Sequence, residues 1–60
     1  MAYLCVDKNN SEWIWEDKPI RESTEFIGSC DWHHCILLNK GTIEKIIGRV
    51  LTWNDEPVEI

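Results

Sequence analysis

The sequence predicts a small α+β fold, an antiparallel sheet of two hairpins with one short helix packed on it, then a C-terminal strand and an extended tail. Three observations carry that expectation. Side chains over 2–7 and 12–16 alternate with the period of a strand. Ile43, Ile46 and Ile47 recur at i, i+3 and i+4, the period of one helix face. Between these segments stand clusters of Asn, Gly, Pro and Asp that break regular structure.

The first hairpin joins 2–7 to 12–16. Tyr3, Cys5 and Asp7 take one side of the leading strand, and Ala2, Leu4 and Val6 the other. Lys8-Asn9-Asn10-Ser11 supplies the turn, because Asn tolerates the left-handed backbone that tight connections need. The return strand sets Trp13 and Trp15 opposite in direction to Ile14. Lys18-Pro19 stops it, since proline has no N–H for a ladder, and residues 20–24 read as a connector. Phe26-Ile27 begins a second hairpin, 25–28 with 35–38, turning around Cys30 to His34. Asn39-Lys40-Gly41 ends that strand. A helix over 42–48 follows, with Thr42 as its cap, Glu44 in the anion-favouring first turn and Gly48 at the left-handed C-terminal position. At under two turns it is stable only when docked, and the tryptophans of the first hairpin are the expected surface for its isoleucines. Val50-Leu51-Thr52-Trp53 has strand composition over 50–53, and Val58 and Ile60 extend as a tail at a sheet edge, where Pro57 is tolerated.

Composition bounds the function. Sixty residues make one domain, 1–60, of modest stability. Hydrophobic residues are 43% and charged residues 28% of the chain, which is globular rather than disordered composition. Three cysteines, an odd number, and no charged-then-apolar leader argue against a secreted disulfide scaffold and for the cytoplasm. No apolar run reaches the roughly 18 residues of a membrane span. A net charge of −5 disfavours direct nucleic-acid binding and suits a basic protein partner, or simply a solvated, soluble surface.

The run from Leu38 to Arg49, continued by Leu51 to Val58, resembles short uncharacterised proteins of bacteriophages and mobile elements of gut bacteria. The opening Met1 to Cys5 and Glu12-Trp13-Ile14 are similar to that group too. The resemblance implies no activity and no cofactor. It implies an accessory factor that binds and modulates a host protein in the host cytoplasm, counter-defence inhibition included.

The sharpest chemical pattern is Cys30-Asp31-Trp32-His33-His34-Cys35. Zinc takes thiolates and imidazoles in a tetrahedron, so Cys30, His33, His34 and Cys35 are its candidate ligands. Their crowding into six residues departs from paired-ligand spacing, and a polar loop with two semi-buried thiols explains the segment more simply. A Cys–His nucleophile would need a cleft and an oxyanion site that so short a chain has little room to build. The expected function is therefore non-enzymatic protein binding through an acidic and aromatic surface: Trp13, Trp15, Asp55, Glu56 and Glu59. A structural zinc mini-domain and an oligomeric small-ligand sequestering protein are the alternatives, and a strand edge at either terminus offers a homo-oligomer contact.

Overall fold

The computed structural model describes residues 1–28 and 34–60. Among the described residues six strands and one helix run in the order β1 (Tyr3–Val6), β2 (Glu12–Trp15), β3 (Ile20–Arg21), β4 (Phe26–Ile27), β5 (Cys35–Leu38), α1 (Thr42–Ile47) and β6 (Val58–Glu59). A four-stranded sheet has the order β5-β2-β1-β6, every neighbour antiparallel, and β3 and β4 form a second sheet of two strands. The α+β class and the first hairpin are as the sequence predicts.

The β1–β2 turn follows from its asparagines. Asn10 holds φ 71°, the region Asn tolerates, and Ser11 N–H donates to the Asn9 carboxamide at 3.0 Å. Asp7 and Ser11 close the ladder, with Asp7 N–H donating to Ser11 O at 2.9 Å. The resulting register sets Leu4 against Ile14 and Cys5 against Trp13. Opposed residues share a face, so the sheet has one aliphatic side and one aromatic side.

Segments 25–28 and 35–38 do not pair with each other, which corrects the second hairpin. Phe26–Ile27 turns back on Ile20–Arg21, the stretch read as a connector, while β5 adds to the free edge of β2. Arg21 accounts for the exchange. Its guanidinium carbon lies 4.8 Å from the Phe26 ring centroid and 4.4 Å from that of Trp53, and its N–H groups donate to the carbonyls of Trp53 and Asp55. A cation held between two rings and two carbonyls fixes the β3–β4 hairpin against the 53–56 turn.

That turn is also why 50–53 is not a strand. The Asp55 carboxylate accepts from Thr52 N–H at 2.8 Å, and Asp55 N–H donates to Thr52 O at 3.0 Å, so the chain reverses where it was expected to extend. The tail supplies the last strand instead. Val58 and Glu59 pair with Leu4 and Tyr3, and Ile60 N–H donates to Ala2 O at 2.8 Å.

The helix lies on the aliphatic face, away from the tryptophans expected to receive it. Ile43 is buried with Leu4, Val6 and Leu51, and Ile14, Leu38, Ile47 and Val58 close around them. Ile46 sits on the flank and is 49% exposed. Gly48 takes φ 80° and donates to Glu44 O, the expected C-terminal cap. The N-terminal expectation needs correction. Gly41 is the N-cap and Thr42 the first helical residue, its hydroxyl donating to Asn39 O. The first free amides are met by Glu12 of β2, whose two carboxylate oxygens accept from Gly41 N–H at 2.7 Å and Ile43 N–H at 2.9 Å. An anion at the positive end of the helix satisfies orphan donors and anchors the helix to the sheet.

Candidate binding cleft on the aromatic face

The aromatic face collects Cys5, Trp15 and Phe26 as its buried centre, ringed by Tyr3, Trp13, Cys35 and Trp53. Strand alternation puts the odd-numbered residues of β1, β2 and β5 on this side. The β3–β4 hairpin covers only part of it. Phe26 and Trp53 meet edge to face at 5.3 Å between centroids. Phe26 N–H donates to the Asp7 carboxylate at 3.0 Å, and Lys8 N–H to Thr24 O at 3.1 Å, tying the hairpin to the β1–β2 turn.

Beside this contact lies an open cleft of about 460 Å³, walled by Trp13, Trp15, Phe26 and Ile27, with Asp7 and Glu25 among its lining residues. Asp7 is nearly buried, whereas Glu25 is exposed. The indole N–H of Trp13 is buried and has no acceptor among the described residues. Rings flanked by carboxylates suit a cationic side chain, whose stem packs on the rings while its charge faces the acids.

The surroundings of the two described thiols disfavour the thiolate. Burial pushes the Cys5 thiol up to about 12, partly opposed by the Trp15 indole beside it, and burial also raises Cys35, with Asp7 adding to the shift. Both are held as thiols at neutral pH, and the thiolate is the reactive form.

Only part of the sequence-derived site comes together here. Trp13 and Trp15 line the cleft. Asp55, Glu56 and Glu59 do not. Asp55 caps its own turn, Glu56 pairs with Arg21 at 3.3 Å, and Glu59 accepts from the Tyr3 hydroxyl at 3.4 Å. The acids of the cleft are instead Asp7 and Glu25. Asp7 was legible in principle, since its strand parity matches that of Tyr3 and Cys5. Glu25 depends on the β3–β4 pairing, which has no signal in period or composition. Of the zinc candidates, Cys30 and His33 lie outside the described residues. His34 Nδ1 lies 3.0 Å from Glu16 Oε2 on the surface, whereas Cys35 joins the aromatic cluster. Successive residues of an extended chain face opposite ways, which separates that pair. No cluster of three or more metal-binding side chains occurs among the described residues. Nor is any described helix long and apolar enough to cross a membrane. Comparison with family models, curated proteins and solved structures returns no match.

Proposed function

We propose that this chain is a non-enzymatic binding module, an accessory or inhibitory protein of a phage or mobile element, that engages a host protein by taking up one of its Lys or Arg side chains. The observation that carries this reading is the cleft between Trp13, Trp15 and Phe26 with the acidic residues Asp7 and Glu25 in its lining. Aromatic walls supply apolar and cation–π contact, and the acids supply charge selection against an anionic or neutral partner. The net charge of −5 steers the encounter toward basic surfaces. The resemblance to phage and mobile-element proteins supports the biological setting.

The test is affinity capture from host lysate with the unaltered chain, Glu25→Lys, Trp13→Ala and a Glu56→Lys/Glu59→Lys double variant. A host protein retained by the unaltered chain and the double variant, but lost with Glu25→Lys and Trp13→Ala, is the expected result. Loss with the double variant alone would move recognition to the C-terminal acids and end the cleft reading.

A further inference from the structure

The four-stranded sheet ends differently on its two sides. One edge is β6, two residues long and bearing Glu59. The other, among the described residues, is β5, Cys35-Ile36-Leu37-Leu38, four residues without a charge. Natural edges are commonly guarded by charge, proline or bulges, and β5 itself carries none of these. Its side chains are open on both faces, with Ile36 65% and Leu37 59% exposed. An open groove of about 490 Å³ runs past Ile36 to Ile14 and Met1, with Glu16 and His34 also in its lining.

The ladder fixes which backbone groups of β5 are free to pair. Glu16 N–H donates to His34 O at 3.0 Å, and these two residues are opposed in the β2–β5 register. In an antiparallel ladder hydrogen-bonded and non-bonded pairs alternate. His34, Ile36 and Leu38 therefore turn their N–H and C=O groups toward β2, and Cys35 and Leu37 turn theirs outward.

We propose that β5 pairs with β5 of a second copy of this chain, antiparallel about a two-fold axis at Ile36, giving a continuous sheet. Opposed residues must share a face, so the register sets Ile36 against Ile36 and Cys35 of one copy against Leu37 of the other. That register uses every outward group of the strand, in about four hydrogen bonds. The self-complementary register selects a second copy as the occupant. Two chains of −5 repel, yet this edge brings no carboxylate opposite another. Antiparallel docking also sets the Lys40 end of one copy beside the Glu16–His34 end of the other. The strand is short against the roughly 800 Å² per partner of a standard interface, so dissociation falls between about 0.1 and 1 mM, within the range tested below.

Sedimentation equilibrium from 10 µM to about 1 mM, with amide hydrogen exchange at both ends of the range, tests this. The expected mass rises from 7.1 kDa toward twice that value, and the Cys35 and Leu37 amides gain protection with concentration while Ile36 and Leu38 are already protected. Leu37→Pro removes only an outward N–H and Leu37→Lys adds an edge charge. Each is expected to remain monomeric with an unchanged circular dichroism spectrum. A monomer throughout the range would leave β5 to a strand of another protein and overturn the proposal. So would dimerisation that persists in a folded Leu37 variant, or protection that does not depend on concentration. If both variants fail to fold, the exchange data on the unaltered chain decide.

Discussion

The two faces of the four-stranded sheet are closed by different physics. The aliphatic face is sealed by a helix whose Ile43 is 1% exposed, over Leu4 at 0%. Burial there is non-directional, and one charged residue, Glu12, fixes the helix in place. The aromatic face is closed by a two-stranded hairpin and a turn, joined through the Arg21 guanidinium between Phe26 and Trp53. Both faces leave an open recess, and the one on the aromatic side is walled by rings with Asp7 and Glu25 among its lining residues.

The most direct way to break this contrast is to cut into the sealed face. Ile43→Ala is expected to cost about 2–5 kcal/mol by urea denaturation, whereas Ile46→Ala on the exposed flank should cost well under 1 kcal/mol. Equal losses would mean that the helix does not seat on the sheet through Ile43. Next comes the anchor. Glu12→Ala leaves two amides of the first helical turn without their charged acceptor and should lose about 2 kcal/mol, with Glu12→Gln intermediate in the same denaturation series. A loss no larger than that of an exposed substitution would separate the helix from β2.

Titration sharpens the comparison from the aromatic side. The Cys5 pKa is raised from its ordinary value of 9.0 to about 12 in the folded protein. Below about pH 9 both states hold the proton and no pH dependence arises. Above it the unfolded thiol ionises first, so stability falls as pH climbs from about 9 toward 12, with a slope of at most one proton. Thermal melts of Cys5→Ala should show a flatter alkaline limb, the remainder reflecting the Cys35 thiol and the Tyr3 hydroxyl, both also raised, Tyr3 by burial and by Glu59. The smallest effect is expected from Arg21→Lys. It keeps the charge and loses the planar fork, costing about 1 kcal/mol and shifting tryptophan emission while the helical circular dichroism signal stays. A matching loss of helix would mean that the two faces are coupled more tightly than their separate clusters indicate.

Much of the local structure was written in the chain. Asn10 at positive φ, the β1–β2 alternation, the Ile43 and Ile47 face and the Gly48 cap each depend on neighbours within a few residues, and each stands where period and residue type place it. That Trp13 and Trp15 share one face was legible for the same reason, because alternation puts both on one side of the strand. What sequence period does not encode is partnership across distance. The pairing of β4 with β3, the addition of β5 to β2, the choice of Val58 over 50–53 as the last strand and the side of the sheet that receives the helix are all decided by contacts between remote segments.

The amino-acid sequence by itself determined that a hairpin, a short helix and an acidic, tryptophan-rich chain would make a small α+β unit, since these follow from backbone preferences and hydrophobic period. Only the tertiary structure decided where the charges go. Glu12 became a helix anchor, Asp55 a turn cap and Glu56 the partner of Arg21, while Asp7 and Glu25 came to line the aromatic cleft. A carboxylate's role depends on which donors the fold brings within about 3 Å of it, and that distance is set by the packing of the whole chain rather than by any neighbouring residue.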